Sequence, residues 1–198
     1  MRDQVIESQT IKLAVGHVTT LGPKLVLRHC KIECHLTARE LVLIDVEFHH
    51  CTFVAKRQLT GYKFLRSRFY DCAFEGTFSG CDFGKRQDVY EGLGDMRRCS
   101  FSNARLDACR FFECDVATID FPTKKPSIVF REPQSRLVGV DPGPISIGLQ
   151  VFLDVTRDQL PTCSAVVDDV ELAAKRLRVD PEDLLAFAAE LDARSRPS

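Results

Sequence analysis

Residues of the same chemical character recur every twenty-one positions through the first part of the chain. Four such columns run through four successive rounds: Ile6, Leu27, Phe48 and Phe69; Ile11, Ile32, Phe53 and Phe74; Gln9, Cys30, Cys51 and Cys72; Thr20, Leu41, Tyr62 and Phe83. A fixed period of this length is typical of a solenoid, in which each coil buries its apolar side chains only when the next coil stacks on it.

A shorter rhythm of about five residues lies inside each round, with a small residue two positions before a large apolar one. The clearest examples are Cys51-Thr-Phe53, Cys72-Ala-Phe74, Cys99-Ser-Phe101, Ala104-Arg-Leu106, Cys109-Arg-Phe111 and Cys114-Asp-Val116. At these residues the chain resembles the pentapeptide-repeat family, whose signature is Ala or Cys, any residue, then Leu or Phe. The resemblance covers about residues 4–121. It implies a mainly β fold, a right-handed parallel four-sided β-helix with the small and the central side chains pointing inward.

The residues support an extended chain independently of that resemblance. Inward and outward side chains alternate along a strand with a period of two, and the spacing of five does not fit the 3.6-residue period of a helix. Ten of the fourteen Phe lie at or near the predicted inward positions. Each round has twenty-one residues, one more than four units of five. This extra residue predicts an irregular corner in each coil, near Leu36, Arg57 and Phe78.

The chain divides into three parts. Coils are predicted over 1–121, interrupted by an inserted loop at 85–98 that matches no repeat position. A Pro-rich connector follows at 122–160, with a short strand at 127–130. Residues 161–198 are predicted to form a two-helix cap over the open end of the β-helix, with Val166, Val170 and Leu177 on one apolar stripe and Asp180 as the N-cap of the second helix.

Composition narrows the functional classes. The net charge is -1 and the pI is about 6.5, so neither nucleic acid nor a membrane surface is an expected partner. No eighteen-residue apolar run and no leader-like start is found, which predicts a cytoplasmic protein. Most of the nine Cys occupy the small inward position, where stacked thiols cannot converge on one metal ion, so free thiols and neither metal nor cofactor are expected.

The predicted binding surface is the inserted loop. Apolar residues without an inward position and flanking arginines give it the composition of an interface centre rather than of a linker. The candidate partner-binding residues are Arg86, Tyr90, Leu93, Met96 and Arg97. The function predicted from them is a non-catalytic protein-binding module, for instance a small antagonist or immunity protein that neutralises a toxin.

Two other functions are alternatives to this one. Some proteins of the pentapeptide-repeat family protect type II topoisomerases by imitating DNA, but 4–121 holds sixteen Lys and Arg against fifteen Asp and Glu, whereas a mimic of that length needs on the order of fourteen uncompensated acids. An enzyme is the third reading, built on a stacked column of His29, His50 and Asp71. A flat wall does not by itself provide the pocket that catalysis needs.

Overall fold

The protein is described by a computed structural model that covers residues 1–86 and 92–195. Parallel strands stack into a β-solenoid of about four turns, and an α/β cap follows it. The mainly β fold with stacked parallel coils and a C-terminal helical part is therefore confirmed. Within the described residues, no helix has the length and apolarity needed to cross a membrane.

The first wall of the solenoid is a five-stranded parallel sheet. Its strands, in spatial order, are β1 (Gln4–Glu7), β4 (Leu25–Arg28), β7 (Val46–His49), β9 (Ser67–Tyr70) and β12 (Asp95–Arg97). The register of the first four places Ile6, Leu27, Phe48 and Phe69 in one inward column, as predicted. The rings of Phe48 and Phe69 stack with centroids 4.5 Å apart, which is an offset-stacking distance.

The second wall repeats this arrangement. Its strands are β2 (Thr10–Leu13), β5 (Lys31–Cys34), β8 (Thr52–Thr60), β10 (Ala73–Ser79) and β13 (Ser100–Asp107). The predicted column of Ile11, Ile32, Phe53 and Phe74 is confirmed and continues into Phe101, whose ring lies 4.5 Å from that of Phe74. The register slips between Ala55 and Leu59, at the irregular corner expected near Arg57.

The remaining solenoid strands lie in two smaller sheets. They are β3 (Thr19–Leu21), β6 (Leu41–Leu43), β11 (Asp82–Gly84) and β14 (Cys109–Phe112). Of the predicted column Thr20, Leu41, Tyr62 and Phe83, the last three are buried as predicted. The prediction is wrong for Thr20, because β3 and β6 pair twenty-two residues apart, so Thr20 faces outward and Leu21 is buried beside Leu43. Phe83 stacks on Phe64, with ring centroids 4.8 Å apart.

The insert is shorter than the sequence predicted. Asp95–Arg97 form β12, which pairs with β9 at a step of twenty-seven residues, six more than in the earlier coils. Met96 pairs with Phe69 and is 1% exposed, so it occupies the inward position that the sequence pattern did not assign to it. The end of the predicted 85–98 loop is therefore part of the next coil.

All nine Cys are free and buried. Those of the predicted third column lie where the solenoid turns from the first wall to the second, and each thiol donates to backbone carbonyls. The Sγ of Cys51 lies 3.3 Å from the oxygens of Leu27 and His49, and the Sγ of Cys72 lies 3.3 Å from those of Phe48 and Tyr70. The small inward residue thus also links each coil to the one before it.

The cap differs from the predicted connector and helix pair. Its elements are β15 (Ser127–Arg131), α1 (Pro133–Leu137), α2 (Ile147–Arg157), β16 (Cys163–Asp169), α3 (Val170–Leu177) and α4 (Pro181–Arg194). The strand at 127–130 and the Asp180 N-cap are confirmed. The connector, however, contains two helices, and Val166 belongs to a strand rather than to a helical stripe. β16 is antiparallel to both of its neighbours, β14 and β15.

The cap has its own hydrophobic core. Ala165 and Val167 of β16 join the core of the solenoid, whereas the cap helices pack on a second cluster built around Phe130, Phe152 and Phe187. The ring centroids of Phe130 and Phe152 are 6.1 Å apart. β15 contributes to both cores, because Ile128 and Phe130 belong to the second cluster and Val129 packs against the core of the solenoid.

Candidate interaction surface

The structure separates the predicted partner-binding residues. Arg86 lies after β11 with its guanidinium 5.2 Å from the ring centroid of Phe112, whereas Arg97 projects from the first wall and pairs with Asp95 at 2.9 Å. Leu93 is half-buried and Met96 is in the core, where no partner can reach it. Tyr90 lies outside the described residues. The binding role of the insert stays a prediction, now without Met96.

The column of His29, His50 and Asp71 lies at a corner of the coils. All three residues have positive φ, between 51° and 55°, a conformation that His and Asp tolerate better than most residues. The imidazoles of His29 and His50 stack in parallel with centroids 5.1 Å apart. Asp71 is held by Arg98 through two hydrogen bonds of 2.6 and 2.8 Å, and these lower its pKa. The backbone geometry of the corner and the ion pair with Arg98 explain why His29, His50 and Asp71 occur at these positions.

Charges on the first wall are matched between neighbouring coils. Glu7 accepts from Arg28 at 3.3 Å, and Glu47 accepts from Arg68 at 3.0 Å. Tyr70 donates from its hydroxyl to Asp95 at 3.2 Å. Opposite charges on adjacent strands stabilise a sheet modestly. Each of these acids has a donor in an adjacent coil, so they do not form an uncompensated acidic row.

A second set of ion pairs joins the solenoid to the cap. Asp169 is the N-cap of α3, accepting from the Leu172 N–H, and it also binds Arg105 of β13 through two hydrogen bonds of 2.8 and 2.7 Å. Burial opposes ionisation of Asp169, but these bonds outweigh it and lower the pKa. The same residue therefore starts a helix and fastens the cap to the last coil.

Asp168 points to the other side of β16. Its Oδ1 accepts from Arg176 at 2.6 Å and from the Ala108 N–H at 3.0 Å. Arg176 also binds Asp107 at 3.1 Å. Burial raises the pKa of Asp168 to about 6 and outweighs Arg176 and the Ala108 N–H, which lower it, while the neighbouring Asp107 carboxylate adds a smaller rise. Asp168 is thus a buried acid that titrates close to neutrality.

The outer side of α2 is apolar and exposed. Ile147, Val151 and Val155, called here the α2 face, lie four residues apart and are 84%, 43% and 51% exposed. The inner side of the same helix buries Phe152, Leu153 and Thr156. A Cβ on Gly148 would collide with the Leu177 carbonyl of α3, so close packing fixes the orientation of α2. The α2 face is therefore an apolar stripe on a firmly placed helix.

A cavity of about 210 Å³ opens beside the α2 face, between α2 and the last coil. This junction cavity is lined by Val155 and Gln159 from the α2 side, Arg110 and Val166 from the sheet, and Asp168 and Arg176 from the cap. Arg110 is paired with the buried Asp82 at 2.7 Å. Val155 belongs both to the α2 face and to the cavity wall, so the two features form one continuous surface.

The sequence contains indications of this surface that are not part of the 21-residue pattern. Ser146 is an N-cap whose hydroxyl accepts from the Leu149 N–H, and apolar residues at 147, 151 and 155 have helical spacing. Five prolines between 122 and 144 dominated the interpretation of this region as a connector. The run of β-branched and small residues before Asp168 indicates a strand, but no repeat period marks its partner.

Neither the scan against protein-family models nor the search of curated proteins gives a match. Among residues 1–86 and 92–195, no group of three or more His, Cys, Asp or Glu side chains is arranged to hold a metal ion. The interpretation of the site therefore depends on its geometry.

Proposed function

We propose that this protein is a non-catalytic protein-binding module and that the α2 face is its binding surface. The observation that carries the proposal is the exposure of Ile147, Val151 and Val155 on one side of a helix whose other side is buried. Exposing three branched apolar residues in a row adds nothing to the stability of the chain. Contiguous apolar surface of this kind marks interaction sites in folded proteins.

The coils supply the scaffold for this surface. We assign them to a divergent pentapeptide-repeat protein, because Cys-x-Phe units such as Cys51-Thr-Phe53 and Cys72-Ala-Phe74 place both the thiol and the ring inside. A cytoplasmic antagonist of another protein, such as an immunity protein, is the role that this combination supports best. It needs a rigid frame and one apolar docking surface, and it needs no catalytic group.

The arrangement of polar residues favours binding over catalysis. His29 and His50 stack on each other at an open corner, while both Asp71 oxygens are engaged by Arg98. A general base requires a neighbouring nucleophile and a pocket that excludes water. The paired charges of the first wall likewise give less support to DNA mimicry, which needs a row of uncompensated acids.

Site-specific photo-crosslinking tests the proposed surface. A benzophenone amino acid is placed at Val151 or at Leu185, which lies on α4 and is equally exposed at 43%. Each protein is irradiated in cytosol of the source cells, and adducts are identified by mass spectrometry. We expect one discrete protein adduct from position 151, lost when Ile147→Asp is added, and none from position 185. Equal labelling from both positions, or no adduct at 151, would contradict the proposal.

A further inference from the structure

The junction cavity combines two arginines, a buried hydroxyl and an apolar wall. We infer that it binds a small carboxylate with a compact apolar group, held by Arg110, Arg176 and the hydroxyl of Thr156. This inference goes beyond the proposed function and does not rest on it, because neither Ile147 nor Val151 lines the cavity. It follows from the unused donors of the two arginines, the hydroxyl of Thr156 and the size of the cavity.

Both arginines that line the cavity have N–H groups without a protein acceptor. Arg176 uses only Nη2, which donates to Asp107 at 3.1 Å and to Asp168 at 2.6 Å. Arg110 donates from Nε to the Oδ1 of Asp82 at 2.7 Å, and its Nη2 lies 2.7 Å from the same oxygen. In the described part of the chain, Nε and Nη1 of Arg176 and Nη1 of Arg110 have no acceptor. The acids therefore hold the two guanidinium groups in place and leave donors for a ligand.

Thr156 provides a third donor. It is 2% exposed, lies on the inner side of α2 and lines the cavity. Its hydroxyl has no hydrogen-bond partner among the described residues. A buried hydroxyl without a partner is unfavourable, and a ligand oxygen in the cavity would remove that cost by accepting from it.

The charges that line the cavity favour an anion. Arg110 and Arg176 contribute two positive charges, and Asp168 contributes the single carboxylate. Asp82 and Asp107 are buried and do not line the cavity, although they offset part of the arginine charge. The planar guanidinium group matches the geometry of a carboxylate, which accepts charge-assisted hydrogen bonds. A carboxylate therefore uses the free donors, whereas a cation finds no free acceptor beyond Asp168.

The size of the cavity limits the rest of the ligand. A cavity of about 150 Å³ is enough to bind benzene, and pockets for drug-sized molecules begin at about 300 Å³. The junction cavity has about 210 Å³, and Phe152, Val155 and Val166 form its apolar wall. The ligand class is thus a carboxylate that carries one ring or a short branched chain.

Asp168 makes this binding depend on pH. The titratable groups in and around the cavity are Asp82 of β11, Asp107 of β13, Cys109 and Arg110 of β14, Asp168 of β16 and Arg176 of α3. Burial raises the pKa of Asp168 to about 6, and a bound carboxylate favours its neutral form still more, so binding takes up a proton. The affinity for a carboxylate therefore rises as the pH falls from 7.5 to 5.5.

Three small molecules of one shape test the inference. Benzoate, benzamide and benzamidine are titrated into the isotope-labelled protein, and amide shifts are followed by NMR at pH 5.5 and 7.5. We expect benzoate to shift the signals of Ala108, Thr156 and Val166 and to bind roughly tenfold more tightly than benzamide, with no binding of benzamidine. Benzoate should bind more tightly at pH 5.5, by a factor of at most about 25, the change in the protonated fraction of an acid with a pKa of about 6.

Variants locate the binding. Each is first shown to be folded by circular dichroism and thermal melting. We expect R110Q and T156V to weaken benzoate binding by roughly tenfold and fivefold, and D168N to bind benzoate equally at both pH values. I147D alters the α2 face far from the cavity and should bind benzoate like wild type. T156V keeps both ion-paired arginines, so it tests the site even where R110Q does not fold.

A carboxylate with an apolar group is either a free small molecule or the last residue of another chain. A short peptide that ends in valine, with a free or an amidated C-terminus, separates these sources. Tighter binding of the free acid than of benzoate assigns the ligand to a chain end, and tighter binding of benzoate assigns it to a small molecule.

Three results would overturn the inference. They are binding of benzamide or benzamidine as tight as that of benzoate, benzoate binding that R110Q and T156V leave unchanged, and no binding of benzoate or the free-acid peptide at about 10 mM. None of these results bears on crosslinking from position 151, so this inference and the proposed function fail separately.

Discussion

The coils and the cap differ in where they place their large apolar side chains. In the coils, large side chains such as Phe48, Phe53 and Phe74 point inward, and outward positions of the first wall carry charges paired across strands. In the cap, a second core is complete, yet Ile147 and Val151 remain on the surface. Apart from the exposed Val5, Val15 and Val18 of the first coil, the large apolar residues in the coils are thus explained by stacking, whereas those on the outer side of α2 are not. The difference supports the proposal that the binding surface lies on the cap.

The two regions also differ in their ion pairs. On the first wall, Glu7 and Arg28 are both more than half exposed, so their pairing contributes little to stability. At the junction, the carboxylates of Asp168 and Asp169 are almost fully buried. Removing a partner from a buried charge is far more costly than removing one from an exposed charge. The junction is therefore the more sensitive place to alter charge.

The largest effect on stability is expected from a charge placed in the stack of Phe rings inside the coils. Phe53→Asp should prevent folding, because Phe53 is 1% exposed among the rings of Phe64 and Phe74 and the carboxylate would have no partner. The cost is several kcal/mol against a total stability of about 5–15 kcal/mol. Thr52→Asp, one residue earlier and partly exposed, is the control. Urea unfolding distinguishes them, and similar midpoints for the two variants would refute the inward assignment of Phe53.

A smaller effect, specific to the cap, is expected from pH. The pKa of Asp168 is raised to about 6 in the folded state, so its contribution to stability is complete below about pH 4 and is lost as the pH rises through 6. Asp168→Asn removes this loss. Its stability relative to wild type should therefore increase between pH 4.5 and 7.5, by at most about 3 kcal/mol for a rise of about two pKa units.

Urea unfolding at four pH values measures this difference. Carboxylates with lowered pKa, such as Asp71 and Asp169, give slopes of opposite sign, but they are present in both proteins and cancel in the comparison. Asp158→Asn, on an exposed side chain after α2, should show no pH-dependent difference. A constant difference between wild type and Asp168→Asn across the range would show that Asp168 does not titrate there.

The smallest effect is expected in the thiol column. Cys51→Ala removes two contacts from its Sγ to carbonyls and a small inward volume, so we expect a loss of about 1 kcal/mol in the free energy of unfolding. In the native wild-type protein a thiol reagent should react slowly with all nine Cys, because all are buried, and it should react at once in denaturant. Fast native labelling of several thiols, or about one equivalent of bound zinc, would contradict this.

The sequence was informative where each position is repeated and misleading where it is not. Phe48 and Phe69, or Cys51 and Cys72, support one another because neighbouring coils need the same side chain at the same place. At the corners the step changes, and the column through Thr20 was placed out of register. Met96 does not follow the 21-residue pattern, because the insert lengthens the step from Phe69 to twenty-seven residues.

Neither the structure of the cap nor its exposed surface could be predicted from a repeat. β16 pairs with β14 across more than fifty residues of chain and in the opposite direction, and no local pattern encodes such a partner. Asp168 and Arg176 are ordinary charged residues in the sequence until the fold buries Asp168 and places it beside Arg176. The candidate surface depends on these non-local contacts, whereas the coils depend on a local repeat.

The direction of β16 has a consequence for how the length of this protein can change in evolution. Each parallel coil presents to the next coil the same kind of strand edge as the one on which it is itself stacked. Duplication of one round therefore leaves the pattern of strand pairing unchanged. β16 runs the other way and is bordered by β15, so a further coil added after β14 would have to displace it. Gain or loss of rounds is compatible with the cap only upstream of β11. Relatives of different length should therefore share the junction and differ in the number of rounds before it.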